Sequence, residues 1–385
     1  MAWDFTESQL MFQKTCRDFA VKELRPLHKE YLDKNYPAPE GVKKMTDLGL
    51  FALLQPEKYG GQPGDFVMLG IEGEELSREY FELGTVPVGV KVVGDGVTLC
   101  PEETQQEIMP KLIRGECGGC FCLTEPQTGS DAAHIQTRVV KEGDYYIVNG
   151  EKTSISGGTY SDFGLTTVTT DPTKGARGII VLVIPFNLPG VQRTIIPHIG
   201  AKGLGASSIV FDNVRVPTRY LCGMEGAGFG TIMNMLSYMR SYLSLQCIGL
   251  ASVSLEETIE YVKQRQAFGR PIGKFEGVSF KIADRLAEVE AASLVCYKAL
   301  SLLDENKPVE AIVEAAMGKY LAPRVSFRAI WDCILLHGHL GYSEESPLGR
   351  RLLDCMAWQI GDGTREIQET VIVQAKLGKD MIAYR

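Results

Sequence analysis

Two aspartates stand in positions where a carboxylate has little polar company. Asp362 lies between glycines in Ile360-Gly361-Asp362-Gly363-Thr364, and Asp95 interrupts the apolar stretch Val92-Val93-Gly94-Asp95-Gly96-Val97. By residue type alone, Asp362 reads as a helix N-cap, with Thr364 to Gln368 starting the helix. Asp95 reads as a turn between glycines. It also has a chemical reading, because burial raises a carboxyl pKa and suits the group to general-base work. Lys91 lies one helical turn before Asp95 and is spaced to pair with it. Cys117, Cys120 and Cys122 form Cys-Gly-Gly-Cys-Phe-Cys, but zinc needs four ligands and no second pair lies nearby. Cys120 and Cys122 alternate within an apolar run, so free buried thiols are expected. His337 and His339 are spaced i, i+2, which does not put both on one helix face, and no metal site is expected. Gly226-Ala227-Gly228-Phe229-Gly230 has no surrounding βαβ unit and reads as a flexible junction rather than a nucleotide loop.

The elements that must position these groups fall into three blocks. Thr6-Glu7-Ser8-Gln9 reads as a capping box, and Phe12, Cys16, Phe19 and Ala20 follow at helical spacing. Further helical stretches are expected over residues 40–54, 70–80 and 105–114. Near residue 119 the pattern changes. Tyr145-Tyr146-Ile147-Val148 meets Asn149-Gly150, a hairpin signal. Ile179 to Ile184 is an unbroken β-rich run, and Ile209-Val210-Phe211 with Val214-Arg215-Val216 ends at Pro217. After the glycine cluster, Ile282, Leu286, Val289, Ser293, Cys296 and Leu300 are spaced as the inner seam of a bundle. The expected class is α+β. An all-α domain covers residues 1–118, a small, mostly antiparallel β domain 119–222, and a helical bundle 223–385.

Composition bounds the function. At about 150 residues per domain, 385 residues make two to three domains. Hydrophobic residues at 44% and charged residues at 23% exclude disorder as the organising theme. With 40 basic and 48 acidic residues the net charge is -8, which repels a phosphate backbone and excludes nucleic acid as partner. The run Ile179 to Ile184 is too short to span a bilayer, so no membrane insertion is expected. Asp4 and Glu7 stand where a secretory or mitochondrial leader needs basic or neutral residues, so a cytoplasmic location is expected.

Four motifs carry a resemblance. Leu123-Thr124-Glu125-Pro126-Gln127-Thr128-Gly129-Ser130-Asp131 resembles the LTEPxxGSD signature of the acyl-CoA dehydrogenase family. Arg265-Gln266-Ala267-Phe268-Gly269-Arg270-Pro271-Ile272 is similar to that family's RxxFGxPI. Gly338-His339-Leu340-Gly341-Tyr342 and Gly361-Asp362-Gly363-Thr364 sit where the family has GGxGY and YEGT. Order and spacing agree across nearly the whole chain. The resemblance implies an N-terminal helical domain, a middle β-barrel-like domain and a C-terminal four-helix bundle. It further implies FAD, an acyl-CoA thioester substrate, an electron-transferring flavoprotein as acceptor and a homotetramer.

The resemblance also assigns roles. Phe121, Leu123 and Thr124 are expected along the flavin edge, Gly129 where backbone approaches the cofactor, and Ser130 at the diphosphate or pantetheine arm. Ser154, Ile155 and Ser156 would supply more flavin contacts, with Ser154 replacing the family's aromatic residue. Arg265 and Phe268 match residues that reach the FAD of a neighbouring subunit, and Glu276 replaces a family glutamine nearby. Leu335, Leu336, His337, Gly338 and His339 form another cofactor segment, in which Leu335 and His339 depart from the family's Gln and Gly. Thr364 and Glu366 make further cofactor contacts. Arg240, in Ser237-Tyr238-Met239-Arg240, matches an arginine that meets the CoA moiety, and the segment with Lys91 and Asp95 lines the far end of the acyl pocket.

The base is the informative departure. In most of the family the YEGT glutamate takes the proton beside the thioester while hydride leaves to the flavin. Here Asp362 is one methylene shorter, and Gly361 replaces the tyrosine. Both changes favour a bulky alicyclic acyl group such as cyclohexane-1-carboxyl-CoA, and Gly361 and Gly363 are expected among the residues that bind it. The alternative is a cyclohex-1-ene-1-carboxyl-CoA dehydrogenase performing 1,4-elimination with Asp95 as base. Lys91 offers a third possibility, a substrate carboxylate as in dicarboxyl-CoA relatives. Outside that chemistry stand a nitroalkane-type flavin oxidase, which also uses an aspartate, and a non-catalytic flavoprotein.

Overall fold

The computed structural model describes residues 4–31 and 33–382. The chain opens with helices α1 (Glu7–Phe19), α2 (Arg25–Tyr31), α3 (Pro39–Asp47), α4 (Phe66–Ser77), α5 (Phe81–Val97) and α6 (Glu102–Ile113). The capping box forms as the sequence implies: the Gln9 N–H donates to the Thr6 hydroxyl at 3.3 Å, and the Thr6 N–H to the Gln9 side chain at 3.0 Å. The helix expected over residues 40–54 stops early, because Gly49 turns left-handed at φ +86°. The larger correction is α5. Asp95 does not sit in a turn between glycines but in the last helical turn, and the glycines serve packing. A Cβ at Gly94 would lie 2.5 Å from the Gln55 side chain, so that helix and loop meet only because Gly94 has none.

Eight strands follow: β1 (Gly119–Cys122), β2 (Arg138–Glu142), β3 (Tyr145–Ile155), β4 (Phe163–Thr169), β5 (Ile179–Pro185), β6 (Val191–Ile195), β7 (Ser207–Pro217) and β8 (Leu221–Cys222). They form one sheet in the order β6-β7-β3-β2-β4-β5-β8, with β1 beside β4. Pairing is antiparallel except where β1 and β2 meet β4 in parallel, so the sheet is mixed. β5 reads as continuous apolar sequence because residues 179–184 are all buried. The Asn149-Gly150 turn is corrected. Both residues lie inside β3, where the register against β7 shifts, and the hairpin turns instead at Gly143-Asp144.

The last third is helical: α7 (Gly228–Gln264), a small hairpin of β9 (Gln266–Ala267) and β10 (Arg270–Pro271), then α8 (Glu276–Asp304), α9 (Pro308–His337), α10 (His339–Tyr342), α11 (Leu348–Ile360) and α12 (Arg365–Leu377). The 37-residue α7 is the axis of the molecule, packing on α4, α5, α8, α9 and β5. From Met235 to Leu255 it is buried nearly all round, as a helix enclosed by neighbours is. The glycine cluster joins β8 to α7. A Cβ at Gly228 would press on Ile179 and Ile180 at 2.8 Å, so the cluster begins α7 in close contact with β5. The seam expected along α8 holds at Ile282, Val289, Cys296 and Leu300, whereas Leu286 is 44% exposed on the outer face.

Candidate active site

Asp362 occupies the short link between α11 and α12. Gly361 ends α11, its N–H donating to the Ala357 carbonyl at 2.8 Å. The next two residues are both left-handed, Asp362 at φ +61° and Gly363 at φ +94°. The first is a strained conformation for a non-glycine residue. A Cβ at Gly363 would lie 2.6 Å from the Gln368 side-chain nitrogen, which donates to the Gly363 carbonyl at 3.0 Å. The link is therefore a built turn.

Asp362 is not the helix N-cap. Thr364 holds that position, and neither Asp362 carboxylate oxygen has a hydrogen-bond partner although both are buried. Burial pushes this carboxyl up to about 6, with Arg240 and Lys319 pulling the other way. The N–H groups of Asp362, Gly363 and Thr364 donate to no protein acceptor among the described residues. A free carboxylate and free backbone donors thus share one turn.

Arg240 reaches this place from α7. It is 7% exposed, its Nε has no partner, and its charge acts on Asp362. The expected contact with CoA would have to reach it inside the fold. Tyr238, two residues earlier, links the two aspartates electrostatically. Burial, then Asp95 and then Asp362 push its phenol well up. Its hydroxyl donates to Asp95 Oδ2 at 2.7 Å. Lys91 Nζ holds Asp95 Oδ1 and lies 5.5 Å from the centre of the Tyr238 ring. Asp95, 30% exposed, therefore has both oxygens engaged. Ser237 is buried with its hydroxyl donated to the Asn234 carbonyl at 2.6 Å.

The second part of the site is carried by β1 and β3. Thr124 follows β1, and its carbonyl accepts from the Thr153 N–H at 2.9 Å, joining the two segments. Phe121, Leu123 and Thr124 are half-buried, and the Thr124 hydroxyl has no protein partner among the described residues. Ser154 breaks β3 at φ +56°, where the register against β7 shifts, and both Ser154 and Ser156 are exposed while Ile155 points into the core. Bulges of this kind re-aim side chains beside active sites. A Cβ at Gly129 would meet nothing within 4 Å, and Ser130 is exposed. Open hydroxyls and an unfilled glycine beside an apolar strand end fit the edge of a flat, hydrogen-bonding cofactor such as FAD.

Two residues that sequence reasoning passed over hold this part together. Lys152, fully buried on β3, donates to Glu125 at 2.7 Å, to the Leu123 carbonyl at 3.0 Å and to the Thr167 hydroxyl at 3.1 Å. Glu125 also accepts the N–H groups of Gln136 at 2.6 Å and Thr137 at 3.0 Å. The signal was a charge in strand register with the buried Tyr146 and Val148.

The remaining candidates, Glu366 excepted, gather where the end of α7 meets the end of α9. Arg265 and the 95% exposed Phe268 lie in the β9–β10 hairpin region, where Phe268 (φ +52°) and Gly269 (φ +74°) make a two-residue left-handed turn. Glu276 opens α8 and is exposed. His337 stacks on Tyr261 with ring centres 4.2 Å apart, and its Nδ1 lies 2.8 Å from the Cys333 carbonyl, so it closes its own helix. Leu335, Gly338 and His339 are exposed and Leu336 is half-buried, whereas Glu366 is exposed on the first turn of α12, two residues past Thr364 and beside the Asp362 turn. No described hydrogen bond or ion pair joins this group to the Thr124–Ser156 cluster.

Comparison with known proteins agrees with this arrangement. Models of the N-terminal, middle and C-terminal domains of acyl-CoA dehydrogenases match residues 6–116, 120–214 and 226–377. An acyl-CoA dehydrogenase of Bacillus subtilis is 35% identical over 381 residues, covering 97% of this chain and 99% of its own. The CarC subunit of the caffeyl-CoA reductase–Etf complex of Acetobacterium woodii is 33% identical, covering 96% and 98%. The structure of butyryl-CoA dehydrogenase from Megasphaera elsdenii matches with a TM-score of 0.93 at 32% identity, covering 98% of this chain and 100% of that one. With all three of its domains matched, the chain belongs to the acyl-CoA dehydrogenase family and is an FAD-dependent oxidoreductase acting on CH–CH bonds.

Proposed function

We propose that the enzyme dehydrogenates an alicyclic acyl-CoA of the cyclohexane-1-carboxyl-CoA kind, with Asp362 as the base. One observation carries the reading: the Asp362 carboxylate is buried, unpartnered and flanked by two residues without side chains. Asp362 receives the proton from the carbon beside the thioester carbonyl. The free N–H groups of the same turn face developing charge on the thioester oxygen, which is oxyanion-type stabilisation. Bound FAD, seated along Phe121, Leu123, Thr124, Ser154 and Ser156, supplies the hydride acceptor. A Cβ at Gly361 would meet the Trp358 ring at 3.2 Å, so this glycine lets the turn pack closely on α11. The alicyclic substrate is proposed from the missing side chains on either side of Asp362, at Gly361 and Gly363.

A second reading rests on Tyr238, which ties Asp95 to the surroundings of Asp362. In it Asp95 takes a more distant proton from cyclohex-1-ene-1-carboxyl-CoA in a 1,4-elimination. The Lys91 and Tyr238 contacts favour Asp362 as the working base, since Asp95 must leave both partners to act. They also count against a dicarboxylate, whose free end would meet a lysine already neutralised. Electron-transferring flavoprotein is the acceptor in this proposal, as the Etf complex of the A. woodii relative suggests. The exposed Phe268 and the Leu335 segment support assembly as a homotetramer in which a second copy covers them. Ten free cysteines support a reducing, cytoplasmic setting.

The test is anaerobic bleaching of the flavin by cyclohexane-carboxyl-CoA, cyclohexene-carboxyl-CoA, butyryl-CoA and glutaryl-CoA, with products identified by mass and NMR. Ring substrates should bleach it, and Asp362→Asn should abolish that while FAD stays bound. Bleaching by butyryl-CoA or glutaryl-CoA alone refutes the alicyclic reading. Loss of turnover in Asp95→Asn with Asp362→Asn active transfers the base to Asp95.

A further inference from the structure

α9 carries a lysine that the mechanism above does not use. Lys319 is 4% exposed, and its face of the helix is otherwise small and apolar, with Ala315, Ala316 and Ala322 fully buried around it. Burying an ammonium costs several kcal/mol unless its hydrogens are satisfied. Here they go to backbone. Lys319 Nζ donates to the Trp358 carbonyl and, at 3.4 Å, to the Gly363 carbonyl. The first is among the last carbonyls of α11, which no further helical N–H can satisfy, and it stands at the negative end of that helix. The second lies just ahead of α12. Between the two acceptors stands Asp362.

We propose that Lys319 is the positioning residue for the catalytic carboxylate: its ammonium clips the end of α11 to the start of α12 and so fixes the strained turn that presents Asp362. The proposal rests on the reading of Asp362 as base. Its geometry is selective. No hydrogen bond or ion pair links Lys319 to the Asp362 carboxylate, whose oxygens stay free for substrate. A lysine that bound those oxygens would silence the base. One that binds the carbonyls on either side holds the residue and leaves its reactive atoms open. The turn has need of such a hold, because Asp362 at φ +61° is intrinsically disfavoured and Gln368 supplies only long or single contacts at 3.4 Å and 3.0 Å.

The cation has a second effect through space. Burial raises the Asp362 carboxyl, and Arg240 and then Lys319 oppose it. Burial in turn lowers the Lys319 ammonium, with Asp362, Cys247 and Cys355 favouring its charge and Arg240 opposing it. The titratable groups facing Asp362 are therefore Arg240 and Tyr238 on α7 and Lys319 on α9. Removing Lys319 leaves Arg240 in place, so the base keeps one of its two cations.

The experiment uses the FAD-loaded enzyme and follows flavin reduction against pH for wild type, Lys319→Met and Lys319→Arg. Misplacing a catalytic group by about 1 Å costs on the order of 10²-fold, so Lys319→Met should lose about 10²-fold in limiting rate. Loss of one nearby cation should move the pH midpoint up by about one unit. FAD content and KM should stay within about threefold, because neither flavin nor thioester touches Lys319 in this assignment. Lys319→Arg keeps the charge and changes the reach, so its midpoint should remain while its rate falls. It decides the matter if Lys319→Met does not fold. Native rate and midpoint in a folded Lys319→Met, or a native rate in Lys319→Arg with a displaced midpoint, overturns the proposal. Retained turnover in Asp362→Asn would instead remove the reading beneath it, and the two failures are told apart by that variant.

Discussion

Lys152→Met tests whether the buried ion pair behind the cofactor edge is a structural necessity. The substitution keeps the chain length and apolar stem while removing the ammonium. Glu125, with its side chain 1% exposed, then loses its 2.7 Å partner, and the Leu123 carbonyl loses a donor at 3.0 Å. Burial pulls the Lys152 ammonium down to about 8, so near neutral pH the pair is charged and its loss strands a carboxylate. Removing one member of a buried pair costs about 3–5 kcal/mol. Glu125 retains the Gln136 and Thr137 N–H groups, which places the expectation near the lower end, about 3 kcal/mol. At about 2 cal/mol/K per residue the chain unfolds with an entropy near 0.8 kcal/mol/K, so the melting temperature should fall by about 4 °C. The turn bearing Leu123 and Thr124 is freed as well, so FAD should be lost on gel filtration more readily than from wild type. Calorimetry of the holoenzyme and flavin absorbance after filtration read both effects. Glu125→Gln combined with Lys152→Met removes both charges and should recover most of the stability. Melting within about 1 °C of wild type and full FAD retention in Lys152→Met would refute the reasoning.

Three further outcomes follow from the same geometry. Flavin reduction should gain rate as pH rises through about 6, where Asp362 loses the proton that burial holds on it, and a flat profile across that region would remove Asp362 as base. Gly363→Ala should cost about 1–3 kcal/mol through its left-handed φ and its approach to Gln368, whereas Gly129→Ala should leave apo-protein melting unchanged and weaken FAD uptake. Equal behaviour of the two variants would contradict the assignment of Gly129 to the cofactor. Glu72→Gln should keep native turnover and melt no lower, because burial raises this carboxyl and the amide keeps its shape without a charge to desolvate. A tenfold loss of turnover would bring α4 into the site.

Much of the fold was legible because it depends on local pattern. The Thr6 and Gln9 capping box and the unbroken run of β5 follow from short-range chemistry that their neighbours do not override. α5 was not legible, because its glycines and Pro87 argue against a helix until the Ser77, Gln55 and Leu165 side chains that need their missing Cβ atoms are known. Asn149-Gly150 misled for a related reason. A Cβ at Gly150 would lie 2.6 Å from the Thr137 Cα, so the glycine answers a tertiary contact within β3 and not a turn. At the site, Asp362 and Asp95 stood out by type, but their difference did not. The spacing of Lys91 already suggests a partner for Asp95, but only the position of Tyr238 shows both its oxygens engaged while Asp362 stays free. Lys319 carried a legible signal, a lone charge on a buried alanine face, whose meaning depends on which carbonyls approach it.

Glu72 and Asp362 together show what separates a base from a buried acid. Both carboxyl groups are buried, and neither has a hydrogen-bond partner for either oxygen. Around Glu72 the titratable neighbours are Cys16 and Tyr242, and burial is the whole cause of its upward shift. Burial with no cation beside it favours the protonated form, which takes up no further proton. The Asp362 carboxyl is also raised by burial, but Arg240 and Lys319 oppose the rise, which stops at about 6. A carboxylate there is ionised at neutral pH yet weakly solvated, which combines availability with basicity. Burial alone therefore does not nominate a catalytic residue. The nomination comes from burial opposed by cations that stop short of the carboxylate oxygens, and of these two carboxyls only the one between Gly361 and Gly363 meets that condition.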